Sequence, residues 1–166
     1  MDELFRELIS VNSTSAFNFF FTGLREVSRK EPGNEMLYVA SVLAHYSQTS
    51  RYDPSSMPPL ANLSEVFDQF FFVDTSDSEI LEIGGSQILL FAGFFRDQMR
   101  RRHNVCWYDE MGQSFYDRAS VHTREPKKRR LFERMSKTFP SWTLNCRDLS
   151  RRCREDGNNR YLLRLN

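Results

Sequence analysis

The sequence predicts an all-α fold: a single helical bundle of six to eight helices around a long central helix. Three observations lead there. Apolar residues recur at steps of three and four over long stretches, the period of one face of a helix. No stretch alternates apolar and polar residues with β-branched enrichment; Leu, Phe, Arg and Glu dominate, while Val and Ile are sparse. Proline, glycine and capping residues fall between the periodic stretches, where helices start and stop. The chain has 166 residues, a length at which one domain (residues 1–166) is expected and a core large enough to fold without disulfide or metal can form.

From the N-terminus, Leu4, Phe5, Leu8 and Ile9 form a short amphipathic segment. Ser13, Thr14 and Ser15 are candidate N-caps for a second helix carrying Phe17, Phe20, Phe21, Leu24 and Val27. Pro32-Gly33 ends that helix, and Asn34 caps the next, whose buried stripe is Met36, Val39, Ala40, Leu43 and Ser47. Pro54, Pro58 and Pro59 mark an ordered loop over residues 50–59, because the residue before each proline is biased away from helix. Leu60, Leu63, Phe67, Phe70 and Phe71 make a further helix.

Ser76-Asp77-Ser78-Glu79 reads as a capping box, with Ser76 as the cap. It opens the central helix, expected from about Ser78 to about Arg101, with Ile80, Ile88, Phe91, Phe95 and Met99 buried. Gly84, Gly85 and Gly93 predict close packing or a kink at Gly84-Gly85. Tyr108, Met111, Phe115, Ala119 and His122 give the next stripe. A basic helix anchored by Leu131 and Met135 is expected to stop before Pro140. A last helix carries Trp142, Cys146, Leu149 and Cys153, ends at Gly157 and leads into a segment expected to dock through Tyr161, Leu162, Leu163 and Leu165.

Charge is divided along the chain. Residues 1–95 hold five Lys and Arg against thirteen acids, a net −8; residues 96–166 hold eighteen against nine, a net +9. Such a split points to an anionic partner for the basic half or to mutual docking of the halves. The candidate binding residues are the basic rows Arg96, Arg100, Arg101, Arg102 and His103; Lys127, Lys128, Arg129 and Arg130; and Arg147, Arg151 and Arg154. The alternative for each row is a solvated helix face. The predicted function is a cytoplasmic, non-catalytic interaction or regulatory module in which the basic C-terminal half contacts an acidic protein partner. A nucleic-acid-binding regulator using the same rows is second, although the near-neutral pI of 7.7 is low for such a protein. An enzyme of unknown type is third.

Chemistry-bearing patterns are few. Asp109 and Glu110 are a carboxylate pair of acid–base type, or acids favoured in the first turn of a helix. The three cysteines form no CxxC, and HExxH, P-loop and GxGxxG patterns are absent, so no metal or cofactor is expected. Cys146 and Cys153, seven apart on one helix, lie ~10.5 Å apart at ~1.5 Å rise per residue, too far for a disulfide. The longest apolar run, Ile88 to Phe95, is far short of the ~20 residues that span a bilayer, and the acidic start lacks a secretory pattern. Gly93-Phe94-Phe95, with Tyr108, Gly112 and Tyr116 after it, resembles a G-[FY]-F then Y-x-x-x-G-x-x-[AS]-Y pattern of uncharacterised bacterial helical proteins, with Phe115 in place of the small residue. The resemblance implies a bacterial source and a helical fold.

Overall fold

The computed structural model describes residues 2–52, 75–101 and 103–155, and all regular structure among them is helical. The elements are α1 (Asp2–Ser28), α2 (Asn34–Tyr52), α3 (Ser78–Leu89), a π-helical turn (Leu90–Phe94), α4 (Arg96–Met99), α5 (Val105–His122) and α6 (Pro126–Glu155). The chain forms two compact units, Met1–Leu60 with Cys153–Asn166, and Ala61–Arg152. The helix expected from Leu60 to Phe71, most of the loop expected over 50–59, Arg102, the end expected at Gly157 and the segment expected to dock after it lie outside the described residues. Residues 50–52, expected in that loop, belong to α2, which runs to Tyr52.

In the first unit α1 and α2 pack on each other. The expected α2 stripe is correct: Met36, Val39, Ala40, Leu43 and Ser47 are all buried. On α1 the buried line is Ala16, Phe20 and Leu24, while Phe17, Phe21 and Val27 are half-buried. Phe17 and Phe21 stack at 5.8 Å, one turn apart. The break expected at Ser13–Ser15 does not occur; α1 is continuous. Ser and Thr in a helix interior cost at most ~0.7 kcal/mol each, too little to end a helix that has no Gly or Pro at that point. Helix α1 ends at Ser28, and Arg29 takes the left-handed conformation (φ 54°) that commonly terminates a helix. Asn34 is the first residue of α2, and it is the Gly33 carbonyl that accepts from Leu37 N–H.

In the second unit the central segment starts at Asp77, whose carboxylate accepts from Glu79 N–H at 2.9 Å; Asp77, and not Ser76, is the cap. Ile88, Phe91, Phe95 and Met99 are buried as expected, but Ile80 is exposed and Leu81 takes the core position. The segment is interrupted, though not at Gly84-Gly85. Those glycines stay α-helical because they admit aromatic rings: a Cβ on Gly84 would lie 3.2 Å from Phe115 Cε1, and one on Gly85 2.9 Å from Tyr116 Cε2. The interruption is the π turn, where Phe95 N–H reaches back five residues to the Leu90 carbonyl at 3.1 Å. A π turn holds more residues than an α turn, so α4 is rotated relative to α3. Phe94 and Phe95 are both buried.

Helix α5 buries Tyr108, Met111, Phe115 and Ala119 but leaves His122 exposed. Helix α6 runs through Pro140, against the expected stop. Its buried residues explain why: Phe132, Met135, Phe139, Trp142, Cys146, Leu149 and Cys153 recur at steps of three and four across the proline. Proline inside a helix costs about 3 kcal/mol, whereas each buried Phe contributes about 1.5–3 kcal/mol. A break at Pro140 would split that stripe. Phe132, not Leu131, anchors its start, with its ring 5.9 Å from that of Tyr116.

At Gly112 of α5 the Phe139 ring of α6 occupies the space a Cβ would need. Gly112→Ala should therefore destabilise by about 1–3 kcal/mol, the range for overpacking, despite alanine's better helix propensity. Urea denaturation of the variant checks this; a gain in stability would place the ring elsewhere.

Candidate interaction surface

The structure sorts the basic residues by what they touch. Arg96 turns inward. Its guanidinium meets the Asp109 carboxylate with two bonds, Nη1–Oδ1 at 3.0 Å and Nη2–Oδ2 at 2.9 Å, and both side chains are nearly buried, 11% and 12% exposed. Nη1 also donates to the Ala92 carbonyl in the π turn (3.0 Å) and to Thr143 Oγ1 on α6 (3.2 Å). The Thr143 hydroxyl lies 3.0 Å from Asp109 Oδ1 and 3.0 Å from the Pro140 carbonyl, with one hydrogen for the two. Asp109 is therefore neither an acid of the first turn of α5 nor an accessible acid–base group: it is a buried anion held by residues of α4 and α6. Glu110, beside it, is exposed.

Arg96, Arg100 and His103 consequently do not form one outward row. Arg100 and Arg101 are exposed. His103 lies edge-to-face with Tyr108, its Nδ1 3.4 Å from the Tyr108 hydroxyl. Burial raises the Tyr108 pKa.

The row Arg147, Arg151, Arg154 is not the uncompensated charge that its sequence spacing implies. Arg151 grips Asp97 of α4 with Nε and Nη2, at 2.7 and 2.8 Å, and Arg147 pairs with its neighbour Asp148 at 2.7 Å. Both of these acids, Asp97 and Asp148, belong to the basic half itself. Arg154 is exposed.

The cluster at the start of α6 is mixed. Lys128 lies 3.8 Å from Glu82 of α3 and 4.0 Å from Glu125. Arg129 Nη2 donates to the Thr123 carbonyl at 3.1 Å. Lys127 and Arg130 are exposed, and they continue at helical spacing into Arg134 and Lys137, also exposed. These four stand at steps of three, four and three, opposite the buried Phe132–Met135–Phe139 stripe. Among the described residues, Lys127, Arg130 and Lys137 take part in no ion pair. Sequence reasoning missed Arg134 and Lys137 because it treated residues 127–130 as a run of charge and did not follow the row along the helix face.

Other chemistry is sparse. Among the described residues no group of three His, Cys, Asp or Glu is placed to hold a metal ion, and no helix is long and apolar enough to cross a membrane. A groove of about 340 Å³ in the first unit is lined by Thr14, Phe17, Ser41, Ala44, His45 and Gln48. None of the three cysteines forms a disulfide; Cys146 and Cys153 are buried and Cys106 is exposed. No family model matches the chain, and neither a curated protein nor a solved structure matches it. What the fold establishes is the class, an all-α helical protein.

Three outcomes are expected. Asp109→Asn should cost about 3 kcal/mol or more in chemical denaturation, because removing one partner strands the other charge; replacing both, as in Arg96→Met with Asp109→Leu, should cost less. A thiol reagent at neutral pH should modify Cys106 quickly and Cys146 and Cys153 slowly. Burial pushes the Cys146 thiol from its usual 9.0 to about 12, so the protonated form is favoured by folding. That contribution to stability is intact below pH 9.0 and is lost as pH rises toward about 12. Cys146→Ala should flatten the alkaline fall in unfolding midpoint.

Proposed function

We propose that the protein is a cytoplasmic, non-catalytic interaction module, and that the basic face of α6 contacts an acidic partner protein. One observation carries the reading: the row Lys127, Arg130, Arg134 and Lys137 is exposed along one helix face, and three of its members have no ion pair among the described residues. Arg96, Lys128, Arg129, Arg147 and Arg151 meet acids or carbonyls; among the described residues Lys127, Arg130 and Lys137 meet neither.

The position of the row adds weight. The first turn of α6 has no acidic residue and holds Lys127, Lys128 and Arg129. Cations near a helix N-terminus oppose its dipole by about 0.3–1 kcal/mol each at low salt. Glu82, Glu125 and the Thr123 carbonyl relieve Lys128 and Arg129. Lys127 and Arg130 receive no such relief among the described residues, and an anionic partner would supply it. Arginine is also enriched at the centres of protein interfaces.

Charge reversal of the row tests this. The triple variant Lys127→Glu, Arg130→Glu, Lys137→Glu should lose the acidic protein that wild type recovers from a lysate of the source cell, while its unfolding midpoint changes little, since exposed substitutions fall within about ±0.5 kcal/mol each. Retained binding would remove the row from the interface. If the recovered partner is instead nucleic acid, with affinity falling steeply with salt, the acidic-protein reading is wrong.

A further inference from the structure

The row has a geometry that narrows the chemistry of what would cover it. Lys127 to Lys137 is ten residue steps, about 15 Å along the axis at ~1.5 Å per residue. They form one line rather than a broad patch. The same line continues at steps of four and three through exposed Ser141 to Leu144, which is 40% exposed. An apolar side chain thus closes a row of cations. Glu133, also exposed, is three residues from Arg130 and four from Lys137, so a carboxylate flanks the row.

A phosphate backbone fits this line poorly: it would meet the Glu133 carboxylate and offer nothing apolar to Leu144. A second helix fits well. Side chains at steps of three, four and three share one helix face, and a helix laid along α6 can oppose each cation with an acid. Resting on the acidic-partner reading above, we propose that the surface takes an amphipathic helix with acids at i, i+3, i+7 and i+10 and an apolar residue seven positions beyond one end of that row. The acid pattern reads the same in both directions. The side on which the apolar residue falls distinguishes a parallel from an antiparallel partner.

The test uses the full chain with synthetic Ala-based helical peptides of that design, with the Leu after the acids or before them. Two controls are an isomeric peptide with its acids distributed around the helix and an oligothymidylate single strand. Fluorescence anisotropy reads affinity at about 50 and 200 mM salt. One of the two patterned peptides should bind on the order of tenfold more tightly than the isomer. Leu144→Ser should weaken that peptide severalfold without changing helix content, and the charge-reversed triple variant should not bind it. Equal affinity for patterned and isomeric peptides overturns the helix proposal and leaves a purely electrostatic acidic partner standing. Tighter binding of the oligothymidylate overturns both readings. If no peptide binds while the charge-reversed variant still loses its partner from lysate, the helix proposal alone has failed.

Discussion

A carboxylate withdrawn from water sets the terms for the second compact unit. Asp109 is on α5, in a place where an unpaired charge would cost several kcal/mol. Both of its oxygens must therefore be bonded, and the groups that do so come from other elements: Arg96 from the first position of α4, Thr143 from the middle of α6. Arg96 is positioned by the irregularity just before it. The π turn Leu90–Phe94 rotates α4 relative to α3, and the Arg96 guanidinium also bonds the Ala92 carbonyl inside that turn. The irregular helix, the buried ion pair and the continuation of α6 past Pro140 to Thr143 are thus parts of one arrangement.

Close backbone approach is the second constraint. A Cβ on Gly93 would come 2.9 Å from Cys146 Cβ, and the Phe139 ring fills the corresponding space at Gly112. Glycine at these two positions brings the π turn and α5 near enough to α6 for the short Thr143 hydroxyl to reach Asp109. Large rings then fill the remaining space. Tyr116 is fully buried with Phe132 and Phe139 at 5.9 and 5.8 Å. A chain rich in phenylalanine gains apolar burial this way, with aromatic pairs held at the tilted geometries their charge distribution favours.

The basic C-terminal half looks uniform as a string of letters and is not uniform as a surface. Pairing with Asp97, Asp109, Asp148, Glu82 and Glu125 occupies Arg151, Arg96, Arg147 and Lys128. Apart from the nearly buried Arg96–Asp109 pair, these are exposed or partly exposed pairs that add at most about 1 kcal/mol each to stability, so their larger consequence is to neutralise parts of the surface. Positive charge is left on the outer face of α6, opposite a stripe of core residues that keeps that face turned outward.

The all-α class and the buried stripe of α2 were legible from the sequence, because helical periodicity is a local signal: Met36, Val39, Ala40, Leu43 and Ser47 declare one face whatever packs on it. The same holds for Ile88, Phe91, Phe95 and Met99, and for Trp142, Cys146, Leu149 and Cys153. Continuity and pairing were not legible. Pro140 reads as a stop, and packing overrode it because the core stripe lies on both sides of the proline. Gly84-Gly85 reads as a hinge, and the Phe115 and Tyr116 rings made it a close contact, leaving the break to the π turn. Asp109 and Arg96, thirteen residues apart on different helices, carry no mark of their bond in the sequence, nor do Arg151 and Asp97, fifty-four apart. A local pattern can announce a helix face, but which charges that face leaves unpaired depends on side chains distant in the chain, and only folding brings those together.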